Sequence, residues 1–447
     1  MAGGAALIAH PRRDVSALGH RIAALAYAAL LFALLPAYTL RLLWRSRAEP
    51  SYRAALSERF GFYDEAPTQG WLWVHAVSLG ETRAAAPLID SLRRARPDLR
   101  LLLTHGTATG REAGVALLRP GDRQTWLPVD APPIVRRFYA QFAPVIGVLM
   151  ETEVWPNLIA IGHARGVPLV LANARLSARS AHRGRQLAPL LGPAARSLDL
   201  VLAQTEDDAR RLASAGARDV RVCGNLKFDL TPDEAQVASG VAWRTAVGRE
   251  VVLAAVTRES EEESLLAAWT QHAAPRPLLA IVPRHPQRFD AVAGLVRDAG
   301  LRLARRSTWA GMPPPDARDA DVWLGDSMGE MALWYGFGHV ALLGGSYARL
   351  GGQNLIEAAA CGCPVVMGPH TFNFAQAAER AIEAGAAVRV ADVQGGVAEA
   401  LALLGTPRLA DMSRAAIAFA AAHRGAAERM ARAIAALLES RPPEARR

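Results

Sequence analysis

Residues 71–81 read WLWVHAVSLGE. Trp71–His75 has the unbroken apolar character of a strand buried on both faces. Residues 76–80 form a turn, and Glu81 opens an apolar helical pattern that runs to about Ala95. A carboxylate placed where a parallel strand gives way to a helix stands at the carboxyl end of the sheet, where open α/β sheets bind their ligands. Gly80 lets a ligand approach the backbone closely. The competing reading of Glu81 is modest: a carboxylate that complements the positive end of a helix.

Outward from this stretch, short apolar runs alternate with helical patterns. The first set falls at 71–75, 100–104, 145–150, 168–172, 198–203 and 220–223, the second at 250–255, 278–282, 301–303, 322–324, 339–343 and 364–367. Strand–helix alternation predicts a parallel sheet covered on both faces, and two sets predict two domains. The fold class is therefore α/β, with two Rossmann-like domains, an interdomain cleft to hold the ligand and an N-terminal membrane-anchor helix. The expected boundaries are an extension and anchor at 1–47, a first domain at 48–230, a linker at 231–248, a second domain at 249–425 and a C-terminal helix and tail at 426–447.

The anchor is residues 22–40, IAALAYAALLFALLPAYTL, without a charge. As a helix it would be about 28 Å long, close to the hydrocarbon thickness of a bilayer. Arg12, Arg13 and Arg21 precede it; Arg41, Arg45, Arg47 and Arg53 follow it. The richer following side puts the large domains in the cytosol. No small-residue cleavage site stands before Arg41, which argues against a signal peptide. Whether such a helix spans the bilayer or lies in its surface stays open at this point. The three cysteines, Cys223, Cys361 and Cys363, build no disulfide framework, and Cys361-Gly-Cys363 without a second pair builds no zinc site. The net charge is +9, but the arginines are dispersed and aromatics reach only 6%, which gives nucleic-acid binding little support.

Of 51 basic residues only Lys227 is lysine, and asparagine occurs only at 157, 173, 225, 354 and 373. A composition that replaces lysine by arginine leaves lysine where a planar fork cannot substitute for a compact ammonium. Lys227 lies in GNLKFD, at the end of the first half, and could meet a phosphate or a developing negative charge. METEVWPN at 150–157 puts two carboxylates, Glu151 and Glu153, in a strand-to-helix turn, where they can position a hydroxyl or share a proton. THGTATG at 104–110 is a candidate cradle for an anion or sugar. In the second half, PRHP at 283–286 offers Arg284 to a phosphate. GDSMGE at 325–330 again joins strand to helix. The glycines of 344–346 and 351–352, followed by Asn354 and Glu357, expose amides suited to phosphate and a carboxylate suited to ribose. The pattern is not a P-loop.

Taken together, HAVSLGE, METEVWPN, NARLS, GNLKFD, PRHP, GDSMGE, GGQNLIE and GPHTFNF, in order from His75 to Phe374, resemble the Kdo transferases. These enzymes add 3-deoxy-D-manno-octulosonic acid (Kdo) to the lipid A precursor. The resemblance implies a GT-B fold, CMP-Kdo as donor, lipid IVA as acceptor, neither metal nor cofactor, and attachment to the cytoplasmic face of the inner membrane. It implies Glu81 as general base, with Glu151 and Lys227 stabilising the transition state. It implies CMP contacts at Pro283, Arg284, Met328, Gly329, Glu330, Asn354, Leu355, Ile356 and Glu357. Other GT-B sugar-nucleotide glycosyltransferases and sugar-nucleotide epimerases are the alternatives within the same fold, and a non-enzymatic membrane protein that binds polyanions is the alternative outside it.

Overall fold

The computed structural model describes residues 15–47, 49–229 and 231–440; the extension before residue 15 and the tail after 440 lie outside them. The chain divides into two units, one holding residues up to Asp229 together with those from Gly425 on, the other Leu230–Arg424.

The first unit is built on a seven-stranded sheet. Its strands are β1 Trp71–His75, β2 Arg100–His105, β3 Arg123–Trp126, β4 Ile146–Met150, β5 Leu169–Ala174, β6 Leu200–Ala203 and β7 Val220–Val222. They lie in the order β3-β2-β1-β4-β5-β6-β7, every pair parallel. The period-two geometry of a strand sorts β1 onto two cores. Leu72 and Val74 join Leu88 and Ile89 on one face, while Trp71 and Trp73 join Phe138 and Phe142 on the other. Each such side chain, fully buried, contributes about 1.5–3 kcal/mol.

The second unit repeats the plan with β8 Val251–Thr257, β9 Leu278–Pro283, β10 Leu303–Arg305, β11 Val322–Leu324, β12 Val340–Leu343, β13 Val365–Met367 and β14 Ala387–Arg389. Their order is β10-β11-β9-β8-β12-β13-β14, again all parallel. The short edge strands β3 and β14 are absent from the sequence reading. RQTW and AVR are too short and too polar for an apolar run to mark them.

Two boundary expectations change. The stretch read as a linker is a helix, Glu234–Val247, capped by Asp233, whose Oδ1 accepts from Ala235 N (3.0 Å) and Gln236 N (3.2 Å). It packs on the helix Met331–Phe337 so closely that a Cβ on Gly240 would stand 2.1 Å from Leu333 O. Its buried contact is made by Gly240, Trp243 and Val247, a stripe too thin to read as an apolar face. The C-terminal helix Ala426–Glu439 is not a trailing element either. Met430, Ile434 and Leu438 enter the same core as Leu72 and Leu88 of the first unit. Asp229 accepts from the amides of Gly425 and Ala427, and Arg429 Nε donates to Cys223 O (2.9 Å).

The N-terminal apolar segment is helix α1, Val15–Arg45, with Pro36 inside it, and it is long and apolar enough to cross a membrane. Its sides differ. Tyr27 Oη donates to Asp130 Oδ2 (3.1 Å), and Tyr38 Oη accepts from Arg59 Nη1 (3.0 Å), so one side rests on the first unit. Leu18, Ile22, Leu25, Leu30, Leu40 and Trp44 are exposed.

Candidate active site

The turn after β1 is rigid before any ligand arrives. Ser78 caps helix α2, Leu79–Ala95, and its Oγ accepts from Glu81 N (3.4 Å) while donating to Glu81 Oε1 (3.0 Å). Val77 N, one residue before the cap, donates to Glu81 Oε2 (3.0 Å), so the carboxylate reaches back over the helix start much as in a capping box. The modest reading of Glu81 as a helix-end carboxylate thus holds. Its surroundings add more. Burial, first, and the charges of Glu151 and Glu153 raise the Glu81 pKa against the pull of Val77 N and Ser78. A carboxylate so placed binds a proton more readily than a solvated one.

The candidate cradle at 104–110 supports that turn from behind and presents little to an anion. Gly106 N (3.1 Å) and Thr107 N (3.0 Å) both donate to Val77 O, and Thr107 Oγ1 donates to it as well (3.0 Å). The His105 ring meets Ala76 O through Nδ1 (3.0 Å), and burial pushes its pKa down to about 4, so the ring is a neutral strut. The hydroxyl and amides expected to face a ligand are engaged within the protein.

Beside β1 runs β4, and Glu151 follows its last residue. Glu151 is buried with φ +54°, a left-handed conformation uncommon for a glutamate. Its Oε1 lies 3.8 Å from Lys227 Nζ and its Oε2 3.1 Å from Arg175 Nε. The next strand end carries Asn173, also left-handed (φ +53°) and fully buried, whose Oδ1 accepts from Leu226 N (3.1 Å) and thereby fixes the turn that presents Lys227. Glu153 accepts from Trp155 Nε1 (2.8 Å) and lies 3.7 Å from Nε2 of the buried His75. The first unit therefore brings Glu151 and Lys227 together and sets Glu81 within electrostatic reach of Glu151 and Glu153, at the β1–β4 crevice where the strand order reverses.

Arg175 and Asn173 escaped the sequence reading. Both lie in NARLS after an apolar run, but one arginine among so many carries no compositional signal. Ser78 was legible only as a turn residue, although S-x-x-E before an apolar run is a capping signature.

The residues expected to contact a nucleotide lie in the second unit. Pro283 ends β9, and Arg284 N donates to Thr257 O (2.9 Å). After β11, Glu330 is engaged by Arg306 Nη2 (2.7 Å) and by the Ser327 hydroxyl, while Gly329 takes φ +80° and Met328 is exposed. Asn354 caps the short helix Leu355–Ala360 through Oδ1 to Ile356 N (3.2 Å). Leu355 and Ile356 bury their side chains, so only their backbone can meet a ligand. Glu357 is partly exposed one turn in.

One expectation fails here. The amides that follow β12, expected to seat a phosphate, are occupied by the chain's own carboxylate. Glu261 Oε2 accepts from Gly345 N (2.7 Å) and Arg258 N (3.1 Å); its Oε1 accepts from Tyr347 N (3.2 Å) and Ala348 N (3.2 Å). Glu261 is buried, and so is Glu262, which takes Thr257 Oγ1 (3.1 Å) and Arg288 Nη2 (3.1 Å). The sequence reading does not single out these glutamates, which stand in the first turn of a helix, where carboxylates are common.

Two doubly wound parallel sheets, with charged side chains at the strand ends of the first, define a GT-B glycosyltransferase-like architecture. A glycosyltransferase from Rickettsia africae shares that fold at 11% identity, with a TM-score of 0.55 over 85% of this chain and 100% of that one. A family profile described as 3-deoxy-D-manno-octulosonic-acid transferase (kdotransferase) matches residues 54–230. The 3-deoxy-D-manno-octulosonic acid transferase of Bordetella pertussis is 51% identical over 83% of this chain and 88% of its own length. The protein of the same name from Haemophilus influenzae is 39% identical over 73% and 77%. The chain belongs to the 3-deoxy-D-manno-octulosonic acid transferases and is a glycosyltransferase.

Proposed function

We propose that this enzyme moves Kdo from CMP-Kdo to a lipid A precursor, lipid IVA, with inversion at the anomeric carbon, in lipopolysaccharide core biosynthesis. The observation that carries this reading is the Glu81 carboxylate. It is partly buried, clamped by Val77 N and Ser78 Oγ, and raised in pKa beside Glu151 and Glu153. Glu81 takes the proton from an acceptor sugar hydroxyl. The oxygen forms its bond to the anomeric carbon as the bond to the CMP phosphate breaks, and the electron pair leaves on that phosphate. Lys227 and Glu151 form the charged pair beside this event. Pro283, Arg284, Met328, Gly329, Glu330, Asn354, Leu355, Ile356 and Glu357 bind the CMP moiety. Arg284 and the amides near residues 351–354 balance the leaving phosphate.

The exposed apolar side of α1, with Arg41 and Arg45 at its end and Arg47 and Arg53 after it, attaches the enzyme to the inner membrane at the cytoplasmic face. Incubation of the purified protein with CMP-Kdo and lipid IVA, read by mass spectrometry, is expected to give acceptor bearing Kdo and one CMP per Kdo added. NMR of the new linkage reports inversion. CMP release that does not depend on the lipid would count against the reading.

A further inference from the structure

The ion pair at the end of β4 is unequal. Glu151 is almost completely enclosed, whereas 48% of the Arg175 side chain is exposed. Arg175 is tied to Glu151 twice, through its backbone N to Glu151 O (3.3 Å) and through Nε to Oε2 (3.1 Å). Among the described residues neither of its Nη atoms donates a hydrogen bond. The backbone beneath is fixed by left-handed residues at Glu151 and Asn173 and by Gln204 Nε2 donating to Asn173 O (2.9 Å). One buried carboxylate therefore faces two cations, Arg175 and Lys227. A half-exposed guanidinium whose Nη atoms donate no hydrogen bond is a fork that matches a carboxylate or a phosphate in two parallel hydrogen bonds.

We propose that Arg175 binds the carboxylate of the acid sugar that this enzyme transfers and so selects an ulosonic acid over a neutral sugar. The assignment rests on the reading of Glu81 as base given above. The transferred sugar is an octulosonic acid, and in a 2-ulosonic acid the carboxylate is bonded directly to the anomeric carbon. A sugar whose reacting carbon faces Glu81 thus carries a negative charge one bond away, beside the Glu151–Arg175 end of β4. Lys227, a compact ammonium, neutralises charge without selecting shape; the fork of Arg175 selects the planar two-oxygen group. A phosphate of the lipid acceptor offers similar oxygens, so the test separates the two sources.

Wild type, Arg175→Gln and Arg175→Lys are compared in full-length protein with CMP-Kdo, with its C1 carboxamide analogue, and with lipid IVA before and after phosphatase treatment. Thermal melting is followed in parallel. The carboxamide is expected to cut the wild-type kcat/KM for donor by roughly a hundredfold, and Arg175→Gln to lose a similar factor with CMP-Kdo yet hardly distinguish the two donors. Arg175→Lys should recover only part of the discrimination. An undiminished carboxamide penalty in Arg175→Gln overturns the assignment, whether or not its melting temperature falls. Loss of discrimination between phosphorylated and dephosphorylated acceptor, with donor discrimination intact, overturns it in favour of an acceptor-phosphate site. If wild type itself adds no Kdo to lipid IVA, the functional reading fails, an outcome distinct from either.

Discussion

Each sheet has a crevice beside its first strand, between β1 and β4 in the first unit and between β8 and β12 in the second, and the two are filled in opposite ways. In the first, carboxylates and cations from four strand ends meet with part of their capacity unused: Glu81 keeps a raised pKa and Arg175 a half-exposed fork. In the second, Glu261 from the turn after β8 closes on four amides, three of them after β12. Strand ends and turns supply N–H donors in both places. The difference is whether the chain's own carboxylate satisfies them. A filled nest fixes a loop; an incompletely answered charge cluster can meet a ligand. The candidate nucleotide residues of the second unit lie around that filled nest, at the ends of β9 and β11 and around Asn354, where Gly352 N donates to Gly345 O (2.7 Å).

The comparison can be broken most forcefully at Glu81. Glu81→Gln is expected to lower kcat roughly a thousandfold with little change in donor KM, measured by CMP release. Retained turnover would make Glu81 a cap and nothing more. Glu151→Gln comes next. That removes the charge that faces both Arg175 and Lys227, and a loss of roughly a hundredfold in kcat is expected. The loss of stability should be only about 1 kcal/mol, because Arg175 is half exposed and its charge is screened. Glu261→Ala should act the other way round, on stability before chemistry. It leaves buried amides unpaired at a cost of about 3 kcal/mol, seen in chemical denaturation. The vacated nest should then gain thermal stability from added inorganic phosphate, which wild type should not show. If both proteins respond alike, the two crevices do not differ as described.

The smallest effects sharpen the first crevice. Glu81 must be ionised to take a proton, so activity is present above its pKa and is lost as pH falls through it. Because burial and like charges raise that pKa, the acidic limb of the kcat profile should lie above the ordinary carboxylate range. Ser78→Ala removes a hydrogen bond that favours the ionised form and should move the limb to higher pH. Glu153→Gln removes a like charge and should move it to lower pH. For folding the sign is reversed: a carboxylate raised in the native state costs stability as pH rises through its native pKa. Shifts in one direction for both variants would contradict the geometry.

Strand–helix alternation, two parallel domains, the apolar first helix and the positions of Glu81, Glu151 and Lys227 at strand ends could all be read from the chain. Each follows from local rules: hydrophobic runs the length of a strand, helical periodicity, and turn residues between them. Which donors and acceptors are already engaged cannot be read that way, because it depends on which strand ends become neighbours. Thr107 and the amides near Gly106 turned inward onto Val77, and Glu261 crossed from one strand end to the amides of another. The helix Glu234–Val247 hid its contact in a glycine, and Ala426–Glu439 returned to a core more than 300 residues before it, against Leu72 and Leu88. The sequence by itself determined the elements and the chemistry available at their ends. Only the tertiary structure decided which of those groups satisfy one another and which stay open, because a buried hydrogen bond or ion pair is settled by distance across the sheet, not by spacing along the chain.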